Sequence, residues 1–223
     1  YPAITMEAFS ITMNNYRKYI SGYNFQTNAE NELIDKHNNN VRLFLKNNEL
    51  TEVQKTFSIL FAKKNQSLKP RGFNQSVEDF CNEYGMIICK KKIQTVKYAT
   101  ELVFQNLLHL YNSQLMKRNE QYMKLGVTAI RPIEEFKINS FLVTELKRNG
   151  VNSLSLCTKT VRNHRQRLEE CGVFVDYVFK GQNRAVELHI NPEILTVLDL
   201  KTAKLTTSEN QRFTLASEKV LPD

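Results

Sequence analysis

The spacing of apolar residues changes character along this chain, and that change constrains the fold more than any single motif does. From Phe9 to about Leu125, apolar side chains return every three or four positions, the period of helices with one buried face. Beyond Gly172 the pattern shortens to that of strands. "VFVDYVF" is rich in β-branched and aromatic residues, "KGQN" supplies a turn at Gly181, and "RAVELHI" alternates Val186, Leu188 and Ile190 with Glu187 and His189. A mainly α chain with a small β-hairpin is expected, with a helical domain over 1–125, a second domain over 126–198 and a flexible polar tail over 199–223. At 223 residues it can bury a core without disulfide staples.

Within the first half, Thr27 with Glu30 and Thr51 with Gln54 match the spacing of capping boxes. In such a box a hydroxyl and a side chain three residues on satisfy the orphan amides of a helix start. "SLKPRGFNQS", with Pro70 and Gly72, reads as a break before a helix that opens at Ser76. The longest periodic stretch places Val96, Ala99, Val103, Leu107, Leu110 and Gln114 along one side, widened by Leu108, Tyr111 and Leu115. A stripe this broad suits either a core helix within the domain or the seam of a homodimer through the N-terminal half. Two acid-free basic runs lie here, Lys63, Lys64, Lys69 and Arg71, then Lys90, Lys91, Lys92 and Lys97. Each is either a phosphate contact or a solvated surface.

In the second half, "RPIEEFKINSFLVTELKRNG" reads as an amphipathic helix from Pro132, with Ile138, Phe141, Leu142 and Leu146 on one side and Asn149–Gly150 closing it. "LCTKTVRNHRQRLEECGVF" (156–174) follows. Val161, Leu168 and Cys171 can point inward there, and Lys159, Arg162, Asn163 and Gln166, separated by three, four and seven positions, share the opposite face. Gly172 ends the helix by accepting a left-handed conformation. The hairpin carries a basic tip, Lys180 and Arg184, and "NPEILTVLDL" reads as a further helix with Asn191 as its cap. Tyr177 and Phe179 are expected to pack on the helices rather than stack on bases, and His164 to be a partly exposed surface histidine.

The formal net charge of +8 favours a polyanionic partner, nucleic acid or anionic membrane surface. No apolar run approaches the roughly 20 residues of a membrane span. "YPAITMEAFSITM" lacks the basic start and apolar stretch of a secretory signal, and without an initial Met it reads as a trimmed or mature fragment. The four cysteines (Cys81, Cys89, Cys157, Cys171) form no CxxC pair and the four histidines no ligand-like cluster, so reduced thiols in a cytoplasmic protein without metal or cofactor are expected. The acidic pairs Glu134–Glu135 and Glu169–Glu170 are adjacent residues that a helix sends in different directions. With no nucleophile, base or metal set at an interpretable spacing, an enzyme is not expected.

The order helix, short link, helix ending in "RLEECG", then hairpin with a Lys/Arg tip resembles a winged helix-turn-helix domain over roughly 130–198. "LCTKTVRNHRQRLEECGVF" is similar to that family's run of a Leu and small cap residue, Thr-Val, Arg-Leu-Glu-Glu, a small residue and Gly. The resemblance implies a helical N-terminal domain followed by a winged domain that binds double-stranded DNA. The helix over 158–171 would lie in the major groove and the wing against the minor groove or backbone. Carried onto this chain, Thr158, Lys159, Arg162, Asn163 and Gln166 would face DNA, and Lys180 and Arg184 would sit on the wing. Arg165 stands where the family usually has an apolar residue. The helix over 132–148 would be the support helix, with the first family helix supplied by the end of the long preceding segment. The implied roles are transcriptional regulation, or replication and mobile-element maintenance. A protein-interaction scaffold built on the same fold is the rival reading.

Overall fold

The computed structural model describes residues 1–85, 87–127, 136–139, 147–148, 151–152, 156–181, 184–200 and 204–206. Its helices are α1 (Met6–Asn47), α2 (Glu52–Lys64), α3 (Pro70–Tyr84), α4 (Tyr98–Lys124) and α5 (Thr158–Glu170). Its strands are β1 (Pro2–Ala3), β2 (Phe136–Ile138), β3 (Lys147–Arg148), β4 (Val151–Asn152), β5 (Phe174–Val178), β6 (Val186–Ile190), β7 (Val197–Asp199) and β8 (Lys204–Thr206). The chain is thus mainly helical with small antiparallel sheets, in the orders β1-β7-β8, β2-β6-β5 and β3-β4. Among the described residues, no helix is long and apolar enough to cross a membrane.

Two compact units form, one from Tyr1–Ser21 with Val96–Asp223, the other from Gly22–Thr95. This differs from a division near residue 125, and the reason is α4. Its stripe of Val103, Phe104, Leu107, Leu108, Tyr111 and Leu115 is buried inside the first unit. Phe104 stacks on Tyr16 of α1 at 4.4 Å between ring centroids, and Tyr111 meets Phe136 of β2 at 5.1 Å. Of the two readings left open by the stripe, the core helix is the one observed. Phe136 and Ile138 turn inward while Lys137 is exposed, so β2 buries one face in register with Leu188 and Val186 of β6.

The second unit is held by side-chain amides. Asn31, Asn38 and Asn74 each donate to a backbone carbonyl and accept from the N–H of the same residue: Ile93 (2.8 and 2.9 Å), Lys90 (3.0 and 2.7 Å) and Lys91 (2.9 and 2.7 Å). A carboxamide carries one donor and one acceptor side by side, so it pairs with an extended residue much as a neighbouring strand would. The spacing fits. Asn31 and Asn38 lie two helical turns apart, about 10.5 Å, and Ile93 and Lys90 are three extended residues apart, about 10 Å. Beside this seam Phe61 of α2 meets Phe73 and Phe80 of α3 edge-on, at 5.6 and 5.0 Å.

Several local expectations are corrected. Thr51 and Gln54 do form a capping box at α2. Thr27 and Glu30 do not, because α1 runs straight through them; Thr27 is buried, and Glu30 instead receives a two-pronged contact from Arg71 at 3.1 and 3.2 Å. The helix expected at Ser76 begins at Pro70, which sits in the first turn and tolerates the loss of an amide there. The helix expected over 132–148 is interrupted by strands at both β2 and β3; its residues 132–135 and 140–146 lie outside the described set. Asn191 does cap a turn, accepting from Glu193 N–H at 2.9 Å, but Thr196 N–H then bonds Thr12 Oγ1 at 3.0 Å and the chain extends into β7. The start of the presumed tail pairs as well, Asp199 with Lys204 and Leu198 with Leu205. The Tyr1 ammonium meets Asp199 at 2.8 Å. Residues 207–223 lie outside the described set.

Replacing Asn38 or Asn74 with Ala strips a backbone N–H and C=O of their partners and is expected to lower stability by about 2–3 kcal/mol. Urea denaturation checks this against Asn39→Ala, an exposed neighbour whose replacement should stay within about 0.5 kcal/mol.

Candidate nucleic-acid interface

α5 has two unlike sides. Val161 and Leu168 are buried, followed by Cys171, and the helix ends in a tight reversal at Gly172. There Val173 N–H reaches the Leu168 carbonyl at 2.9 Å and Gly172 N–H the Glu169 carbonyl at 3.1 Å, which satisfies two terminal acceptors. Gly172 has φ +78, a left-handed conformation that favours glycine, and a Cβ on it would push the Tyr19 hydroxyl, 2.7 Å away, aside.

On the opposite side Lys159, Arg162, Asn163 and Gln166 are all exposed, as their spacing implies, and Thr158 is half-buried in the first turn. His164 lies between the two sides. It is half-buried, with Nδ1 3.0 Å from the Thr100 hydroxyl of α4, and burial, reinforced by the Arg167 charge, lowers its pKa. It anchors the helix instead of standing free at the surface.

Arg165, at the place where an apolar residue belongs by resemblance, is buried. Its stem fills the apolar position while the guanidinium lies 5.2 Å from the centroid of Tyr177 on β5 and 3.4 Å from Glu169. A long cation therefore ties α5 to the hairpin where a methyl-bearing residue would only fill space.

The hairpin brings its basic residues to one end with unequal freedom. Lys180 is paired with Glu187, which Lys137 also approaches at 3.4 Å. The hydrogen bond from Lys180, with Lys137 adding to it, holds the Glu187 carboxyl below the ordinary range despite burial. Arg184 is exposed just past Gly181, whose φ of +108 makes the bend; 182–183 lie outside the described residues. Hence α5 and Arg184 offer open cations, whereas Lys180 would have to leave a carboxylate to meet a phosphate.

Phe179 is exposed instead of packing on the helices, and Tyr177, also exposed, meets α5 through the Arg165 guanidinium alone among its described contacts. The cause is a bulge between Val175 and Val178, where Asp176 adopts φ +55 and breaks the alternation on which the packing expectation rested. Four members of the basic runs in the other unit meet partners within it, Arg71 on Glu30, Lys90 on Glu78 at 2.5 Å, Lys92 on Asp35 at 3.0 Å and Lys91 over the Phe73 ring at 3.9 Å, while Lys63 and Lys64 are exposed.

No protein-family model, curated protein or solved structure matches this chain. The functional reading therefore rests on the disposition of α5 and the hairpin.

Since His164 titrates lower folded than unfolded, where its value is near 6.5, the unfolded chain takes up the proton first. Its stabilising contribution is fully present above about pH 6.5 and is lost as pH falls through that value toward the lower folded one. Urea denaturation at pH 7.5 and 5.5 should show this loss in the natural chain and a smaller one in His164→Gln.

Proposed function

We propose that the chain is a sequence-preferring binding protein for double-stranded DNA, built in its first unit as a winged helix-turn-helix domain. In this reading α5 enters the major groove and the β5–β6 hairpin lies on the adjacent minor groove or backbone. The observation that carries it is the exposed row Lys159, Arg162, Asn163 and Gln166 on a helix whose other side is locked into a core. An α-helix with its side chains is about 10–12 Å across, which matches the roughly 12 Å width of the major groove. Arg and Lys displace counterions from phosphates, while Asn, Gln and Arg can make paired hydrogen bonds to purine edges. The strand order β2-β6-β5 further supports the reading, because it sets α5 directly before a hairpin closed by a third strand. The function is binding, in transcriptional regulation or in replication and mobile-element maintenance, and needs no cofactor.

The helical unit serves as a self-association module in the same proposal. α2 has no buried residue, and Val53, Ile59 and Leu60 are exposed along it, with Leu43, Phe44 and Leu45 exposed on the last turns of α1. Glu52, which Lys55 meets at 2.8 Å within the helix, opens α2 and Lys63 and Lys64 close it, so two antiparallel copies bring the basic end of each to the exposed Glu52 of the other. Sedimentation velocity should show a dimer that Leu60→Lys converts to monomer; a monomeric natural chain contradicts the assignment.

On fragments selected from random duplex DNA, Arg162→Ala/Asn163→Ala/Gln166→Ala is expected to weaken binding at least about a hundredfold. The slope of log affinity against log salt should become shallower by about one. Unchanged affinity and slope, with cellular activity retained, would favour the scaffold reading instead.

A further inference from the structure

The outer part of β5 and the residue beyond it break a rule that small domains normally keep. Tyr177, Val178 and Phe179 are consecutive and large, and all are exposed, at 44%, 49% and 61%. A regular strand would have turned alternate members inward. Here Val175 pairs with His189 and Val178 with Glu187, so β5 carries one residue more than β6 across the interval. The bulge places Val178 on the same face as Glu187 and His189, and it leaves Phe179 beyond the sheet, at the edge of the turn. The conformation of Asp176, at φ +55, is a strained one for a non-glycine residue, so the surrounding structure holds this re-aiming in place.

What surrounds the run decides its occupant. The buried Arg165 lies over the Tyr177 ring, 5.2 Å from its centroid. Lys180 and Arg184 follow at the tip, and Arg184 is exposed. Lys180 is held by Glu187 and Asp176 is an exposed acid at the inner end of the run, so the free cation among the described residues there is Arg184, beside Phe179 at the outer end; an aromatic face next to an open guanidinium suits a base and its phosphate. On the reading of α5 as the groove-entering helix, on which this inference rests, the hairpin meets the duplex beside the major groove.

We infer that Phe179, backed by Tyr177, forms a wedge that enters the minor groove and unstacks a base step, so that the protein kinks or opens the duplex it binds. Arg165 is a positioning residue for Tyr177, and the exposed Arg184 draws the neighbouring phosphate inward. Base–aromatic stacking gained by the wedge offsets the cost of unstacking, and pyrimidine–purine steps, which part most easily, are its preferred targets.

The test uses the full chain and a duplex taken from selection, labelled at both ends for energy transfer and carrying 2-aminopurine across the segment beside the α5 contact. The natural protein is expected to shorten the end-to-end distance and raise the fluorescence of one 2-aminopurine position. Phe179→Ala and Tyr177→Ala/Phe179→Ala should abolish both signals and weaken binding about tenfold with an unchanged salt slope. Phe179 is exposed and has no contact to α5 among the described residues, so Phe179→Ala should leave thermal melting unaltered and carries the test; Tyr177→Ala also removes the ring beside the buried Arg165, so the double variant is compared only at temperatures where melting shows it folded. Arg165→Met, which keeps the packing stem, should reduce the fluorescence change without removing it. Binding by the natural protein with neither signal overturns the wedge and leaves DNA recognition by α5 intact. Equal signals from the alanine variants overturn it too, as does loss of self-association in those variants with DNA distortion unchanged. Failure of the natural protein to bind any duplex is a different result, because it removes the reading of α5 itself.

Discussion

The seating of α5 is the constraint on which the rest of the first unit depends. Val161 and Leu168 are each fully buried, and side chains of that kind contribute about 1.5–3 kcal/mol apiece by leaving water. That burial fixes the rotation of the helix about its axis, and the rotation decides which residues face outward. Four further contacts guard it: His164 against Thr100, Arg165 over Tyr177, the reversal at Gly172, and Asn191, which donates to the Gly172 carbonyl at 2.9 Å. A turn of α5 by one residue would bury Arg162 and expose Val161. The outward row is therefore a consequence of packing, and its composition of two cations and two carboxamides gives the nucleic-acid reading its chemistry.

A second physical theme is carboxamides that stand in for missing strands. Asn31, Asn38 and Asn74 do so in the helical unit, and Gln114 of α4 does so in the first unit, holding Lys137 of β2 by donating at 2.7 Å and accepting at 3.1 Å. Extended segments that would otherwise present unpaired backbone are thereby fastened to helices. Such pairing is specific in register, since one carboxamide serves one residue. It also places β2 beside β6, and through that sheet gives the hairpin its orientation.

Much of this was legible in the sequence where a pattern ran long enough to average out local accidents. The broad stripe of α4, the capping box at Thr51, both edges of α5 with the left-handed Gly172 that ends it, and the hairpin turn at Gly181 follow directly from period and turn chemistry. Short segments misled where distant partners overrode local preference. "FKI" carries the alternation of a strand, but three residues cannot outweigh a longer apolar spacing that suits a helix until β6 is known to lie alongside. Thr27 and Glu30 have the right letters for a cap, yet nothing in them tells that α1 continues. The exposed Tyr177 and Phe179 follow from a bulge at Asp176, a backbone event with no strong sequence signal at an aspartate. The pairing of Lys180 with Glu187 depends on registers that only the folded sheet defines. Nothing in the sequence marks Asn38 and Asn74 for their role, because their bonds to 90–91 form only once the chain returns.

The most direct measurement is methylation interference on a duplex that the protein has selected. Methyl groups on guanine N7 block the major groove and those on adenine N3 the minor groove. Interference by guanine N7 over a short run of adjacent base pairs, lost when Asn163 and Gln166 are replaced, is the expected result. A bound duplex on which no guanine N7 methylation interferes, or the same pattern from the variant, would contradict entry of α5 into the major groove.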